Sequence, residues 1–210
     1  NKGIIKDMEI KRIDTYDDTR FSKSVLLQHG CFLVDEVPYE VEIISESEAV
    51  IRGADKTLFP MGILEFRFYT HHSIRFYDNG RNVIKVFPNI KLLKIPLYQI
   101  QPSQFYVDKD KIAAISNYIH EADDIVIQVM PHQNGYISLD GHTRLYYAAM
   151  KGWKYVRAVE EISNDWVYRF VAEAQKRKIH TPKDMILVSH EEYEEKWNRF
   201  CDELFTDAEE

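Results

Sequence analysis

Apolar and polar positions alternate along much of the first ninety residues, whereas further on the apolar positions mostly recur every three to four. The first period predicts strands and the second predicts helices. In "GILEFRFY", Leu64, Phe66 and Phe68 alternate with Glu65, Arg67 and Tyr69, which predicts a strand. "SIRFYDNGRNVIKVF" carries two alternating runs around Asp78-Asn79-Gly80, a hairpin signature. "YEVEII" and "AVIRG" predict two more strands, and "DDTRFSKSVLLQHG" predicts a helix that buries Val25 and Leu26 and ends at Gly30. Residues 1–92 are thus expected to form a mostly antiparallel β part, with His71 and His72 at an exposed hairpin tip.

The pattern changes at "KLLKIPLYQIQPSQFYVDKDK", a strand followed by proline-punctuated loops, which sets the expected boundary between residues 92 and 93. "DKDKIAAISNYIHEADD" predicts a helix with Ile112, Ile115 and Ile119 on one face and Asp108 as its N-cap. "IVIQVM", "PHQNG" and "YISL" predict a buried strand, a turn and a partner strand. A helix from about Thr143 to Lys151 should bury Leu145, Ala148 and Ala149 and stop at Gly152, and "KYVRAVEE" reads as the next strand. "NDWVYRFVAEAQKRK" should bury Val167, Phe170, Val171 and Ala174. Ser189 and Glu192 make a capping box for a last helix with an apolar stripe of Tyr193, Trp197, Phe200, Cys201 and Leu204. The whole is an α+β chain, with residues 93–210 forming an α/β domain that carries C-terminal helices.

Composition narrows the function classes. At 45% hydrophobic and 13% aromatic, 210 residues suffice for a core without staples. Cys31 and Cys201 form no C-x-x-C pair, so buried reduced thiols and a cytoplasmic location are expected. No apolar run reaches the roughly 18 residues that span a bilayer, and "NKGIIKDMEI" lacks the apolar core of a signal peptide, so neither a membrane nor export is expected. A net charge of −7 argues against a general electrostatic grip on nucleic acid.

The densest polar chemistry is in "SLDGHTRLYYAAMKGWKYVRAVEE", where Asp140, Gly141, His142, Thr143 and Arg144 stand between a strand and an alanine-rich helix. A tight glycine turn opening a helix leaves backbone N–H groups free at the positive end of the helix dipole, a geometry that binds anions. Gly141 permits close approach, His142 and Arg144 supply donors for phosphate oxygens, and Thr143 adds a hydroxyl. Asp140 can cap the helix, orient His142 or help hold a metal. A purely structural assignment competes with this one: Asp140 as a cap, His142 as a half-buried imidazole, Arg144 as a partner for Glu160 or Glu161.

From "IPLYQIQPSQFYVDKDK" through "DGHTR" to "VRAVEE", the chain resembles the ParB/sulfiredoxin-like superfamily, and within it bacterial ParB-like nuclease domain proteins with a DGHTR turn. The resemblance covers about residues 93–205. It implies nucleotide phosphates at Gly141, His142, Thr143 and Arg144, with ATP or CTP and Mg2+ as cofactors. Asp140 and His142 are the catalytic candidates if the turn does chemistry on a small-molecule substrate. The sulfiredoxin reaction is excluded, because no cysteine stands beside His142. Where the free serine kinases of this superfamily place a catalytic glutamate, Ser103 or Gln104 stands, and neither is a base; Asp108 or Asp110 would have to reach in. The implied functions are an NTP-binding phosphotransferase or NTPase, a DNA-associated nuclease or nucleotide-gated binder, and a non-catalytic nucleotide-sensing module. The N-terminal sheet would complete a substrate pocket or a homodimer surface.

Three other groups receive structural assignments. Glu121, Asp123 and Asp124 are expected to be a solvated helix end, "KLLK" and "KRK" solvated faces, and His29, Cys31 and Asp35 lack anything that would make a Cys-His nucleophile.

Overall fold

The computed structural model describes residues 8–207, which divide into two compact units between Ile90 and Lys91. The first unit is built on a six-stranded sheet of β1 (Ile10–Arg12), β2 (Cys31–Val34), β3 (Val37–Ile43), β4 (Glu48–Gly53), β5 (Arg75–Tyr77) and β6 (Val83–Val86), lying in chain order. β1 to β4 run antiparallel, and β5 and β6 form the hairpin expected around Asn79-Gly80. Between β1 and β2, helix α1 (Lys23–Leu27) buries Val25 and Leu26. The left-handed residue that ends its turn is His29, at φ 57°, and not Gly30. Gly30 is fixed by proximity instead, since a Cβ there would lie 2.0 Å from the Val41 carbonyl oxygen.

The segment expected as a strand at "GILEFRFY" is helical: α2 spans Phe59–Tyr69. Phe59, Gly62, Ile63 and Phe66 face the sheet, while Leu64 and Phe68 are 62% and 68% exposed. Apolar residues at 61, 63, 64, 66, 68 and 69 satisfy period two and period 3.6 alike. The helix prevails because β4 and β5 pair in parallel, which requires a crossover. The antiparallel meander is therefore interrupted once. His71 and His72 follow the end of α2 rather than a hairpin tip.

The second unit holds a five-stranded mixed sheet in the order β7-β12-β10-β11-β8, from β7 (Leu93–Pro96), β8 (Ile100–Pro102), β10 (Val126–His132), β11 (Gly135–Ser138) and β12 (Tyr155–Glu160). β10 and β11 make the expected hairpin, and β12 adds to β10 in parallel through α4 (His142–Met150). α3 (Lys109–Ile115) follows β9 (Tyr106–Asp108), and Asp108 caps it by accepting from the Asp110 N–H at 2.8 Å. α5 (Trp166–Lys176) buries Val167, Phe170, Val171 and Ala174, as its pattern predicts.

β13 (Ile186–Val188) then pairs in parallel with β9, in the register Val188 to Asp108. The chain closes with α6 (His190–Tyr193), a π-helical turn (Glu194–Asn198) and α7 (Arg199–Thr206). Tyr193 is buried, and Trp197 and Phe200 pack around Phe105 with ring centroids 5.0 Å away. The Arg177 guanidinium of "KRK" lies 4.6 Å from the centroid of the same ring, so that basic run is partly packed. Among the described residues, no helix is long and apolar enough to cross a membrane.

Candidate functional site

The 140–144 turn sits where β11 hands over to α4. Gly141, at φ 82°, adopts the left-handed conformation at the N-cap of α4, and a Cβ there would lie 2.6 Å from the Ile127 side chain. Glycine is demanded by both conformation and space. The N-cap residue, being glycine, has no side chain with which to cap this helix start. Its leading N–H groups, at the positive end of the dipole, thus have no oxygen from an N-cap side chain.

His142 lies on the buried stripe of α4 with Leu145 and Ala148, three and six residues on, and is only 6% exposed. Its Nε2 is 2.8 Å from Ser138 Oγ and 3.3 Å from Ser103 Oγ, and it accepts from the Ser103 N–H at 3.3 Å. Ser103 Oγ in turn donates to the Ser138 carbonyl at 2.6 Å. Burial pushes the imidazole down to about 4, with Arg144 adding to the shift while Asp140 and a hydrogen bond to the Ser138 backbone work against it. At neutral pH the ring is uncharged. It ties Ser103, just past β8, to β11 and α4 rather than offering a cationic donor to a ligand.

Arg144 donates to the Val126 carbonyl at 2.5 Å, and its guanidinium is 3.9 Å from the Asp140 carboxylate, so its partner is Asp140 and not Glu160 or Glu161. Thr143 is partly exposed. Beside the turn, burial and the charge of Asp140 raise the Glu161 carboxyl above its ordinary value. Two acids thus accompany the uncapped helix start.

The other predicted groups lie elsewhere. Gln104 donates to the Tyr106 carbonyl at 2.7 Å and to Tyr193 Oη at 3.3 Å. The Asp124 carboxylate accepts from the N–H groups of His120 and Glu121, closing a capping box in place of a helix end. Cys31 is buried, with its thiol pushed up to about 12 by burial, and His29 instead contacts Tyr16 Oη at 2.9 Å and Asp14 at 3.4 Å. In the first unit, a cavity of about 190 Å³ is lined by Ile51, Arg52, Lys56, Phe59 and Asp78 among others. Its cations are already paired, Arg52 with Glu40 and Glu42 and Lys56 with Asp78.

Asp108 and Asp110 belong to a second cluster with His190. The Asp108 carboxylate, 1% exposed, lies 2.7 Å through Oδ2 from His190 Nδ1. The His190 ring is raised above its ordinary value by that hydrogen bond and by the charges of Asp108, Glu194 and Asp110, against a smaller effect of burial. The sequence offers Asp108 as a cap, and Asp108 or Asp110 as an acid for the turn, but gives no sign of His190. Nothing local joins residues 82 positions apart; the pairing of β9 with β13 does.

No family model matches this chain, and no curated protein matches it. Among solved structures, the protein Atu1540 from Agrobacterium tumefaciens is similar over 46% of this chain and 61% of its own, at 13% identity and a TM-score of 0.33. This chain thus spans less than two thirds of that protein, and a likeness so slight decides neither fold nor function.

Proposed function

We propose that residues 91–207 bind a nucleoside triphosphate, ATP or CTP, through its phosphates at the start of α4, in the manner of a ParB/sulfiredoxin-like domain. The observation that supports this best is the helix start itself, uncapped and opened by a left-handed Gly141. The backbone N–H groups of Gly141, His142 and Thr143 and the Thr143 hydroxyl are the assigned donors. Arg144 contributes its charge from the Val126 carbonyl, and His142 acts as a positioning residue that holds the turn on Ser103 and Ser138. Asp140 and Glu161 would repel a bare phosphate chain. Mg2+ carried in with the nucleotide offsets that repulsion, with Asp140 as its protein ligand.

Binding without turnover is the function this geometry favours, because the only imidazole at the turn is buried and uncharged. One observation favours a second reading as a phosphotransferase or NTPase: Glu161, with its raised carboxyl, stands beside the half-exposed Asp140, and a carboxyl raised in this way can hold a proton for transfer. Isothermal titration of ATP, CTP and pyrophosphate with and without Mg2+ tests both. Binding by the wild type that Thr143→Ala and Arg144→Ala each weaken supports the assignment, and absence of binding by all three ligands refutes it. Phosphate release that Asp140→Asn abolishes would select the second reading.

A further inference from the structure

The cluster at the ends of β9 and β13 is chemically unlike the α4 turn. Its members come from three places in the chain: Asp108 from the last position of β9, Asp110 from the first turn of α3, and His190 from the first position of α6. One ligand atom from each lies within 4.8 Å of the other two. Asp108 is buried, while Asp110 and His190 are exposed, so the cluster has one fixed wall and an open side.

Helix capping explains only part of this arrangement. Asp108 needs one oxygen, Oδ1, for the Asp110 N–H, yet its other oxygen is directed at His190 Nδ1. Asp110 is not a cap. On the far side of the imidazole, Nε2 is 3.7 Å from the Glu194 carboxylate, and Glu194 is itself oriented by the Asn198 side chain, which donates to it at 2.8 Å. At 3.7 Å this is an ion-pair separation and not a hydrogen bond, but it sets a carboxylate on the side of the ring where a metal-binding histidine keeps one. Charge points the same way. Three carboxylates, Asp108, Asp110 and Glu194, surround one imidazole, and none of the three is in an ion pair with a lysine or arginine among the described residues.

We infer that Asp108, Asp110 and His190 form a divalent transition-metal site, with Zn2+ as its ion, that clasps the C-terminal helices to β9. One imidazole nitrogen with two carboxylate oxygens is a borderline donor set, suited to zinc better than to magnesium or calcium, which take oxygen ligands. The ion replaces the direct contact between Asp108 Oδ2 and His190 Nδ1, and water completes its coordination on the exposed side. Glu194 acts on the ion only through His190.

The test uses the full chain, freed of metal with a chelator and then titrated with Zn2+ against a chromophoric competitor and with Co2+ read by visible absorption. The wild type is expected to take up one ion per chain and to show the ligand-field bands of nitrogen and oxygen coordination. His190→Ala and Asp110→Asn should each weaken Zn2+ binding by about tenfold or more, and Glu194→Gln by a smaller factor. Asp108 is left intact because it also caps α3. His190 and Asp110 are exposed, so their variants should keep the metal-free urea midpoint of the wild type; where His190→Ala does not, His190→Gln takes its place. Failure of the wild type to take up a stoichiometric ion overturns the proposal, as does uptake that neither His190 nor Asp110 variants weaken.

Discussion

Acidification should unfold the second unit partly through His142 alone. The ring is buried and held near 4, against an ordinary value of 6.5 that applies in the unfolded chain. As pH falls, the unfolded chain therefore takes up this proton first. The stabilising contribution is complete above about pH 6.5 and is lost as pH falls toward about 4. A difference of about 2.5 pH units corresponds to roughly 3 kcal/mol in all, of which about 2 kcal/mol disappears between pH 7 and pH 5. The chain suits the measurement, because its three tryptophans, Trp153, Trp166 and Trp197, all lie in the second unit. Urea unfolding followed by tryptophan fluorescence at several pH values, for wild type and His142→Gln, isolates the effect from that of the carboxylates common to both. The wild-type curve should fall more steeply by about 2 kcal/mol over that interval. Parallel curves would refute the reasoning, as would a residue-142 imidazole titrating near 6.5 by NMR in the folded protein.

Three further predictions concern packing. Gly141→Ala meets both a left-handed backbone and the Ile127 side chain, whereas Gly152, at φ 72°, has no atom near its missing Cβ. Urea midpoints should give about 1 kcal/mol for Gly152→Ala and about 3 kcal/mol for Gly141→Ala. On α2, Phe66→Ser should cost about 3 kcal/mol or more and Phe68→Ser less than about 0.5 kcal/mol by thermal denaturation, where an alternating strand would make both costly. Phe105→Ala should cost about 3 to 5 kcal/mol in the second unit, because this fully buried ring joins Trp197, Phe200 and Arg177.

Local chemistry in the sequence determined a good deal of this fold. The Asn79-Gly80 hairpin, the buried stripes of α4 and α5, and the caps at Asp108 and Ser189 each depend on residues a few positions apart. Ser189 Oγ does accept from the Glu192 N–H, at 3.2 Å. The glycine turn at 140–144 was equally legible as a turn, and Gly141 does take the left-handed conformation there, whereas its closeness to Ile127 was not. The inward direction of His142 was also encoded: it stands three residues before Leu145 and six before Ala148, on the face that must be buried. Polarity drew attention to the ring as a donor, whereas its place on the helix decided what it touches.

Tertiary structure decided the rest. At residues 59–69 the apolar pattern fits two periods, and the parallel pairing of β4 with β5 chooses the helix. His142 finds its hydrogen-bond partners on Ser103 and Ser138, one of them 39 residues away. Asp108 and His190 meet across 82 residues because β13 pairs with β9 in one register, Val188 opposite Asp108, which brings the start of α6 beside the end of β9. Hydrophobic period and capping act within a few residues and are written locally. Strand pairing acts between segments distant in the chain, so groups brought together by it become visible only in the folded molecule.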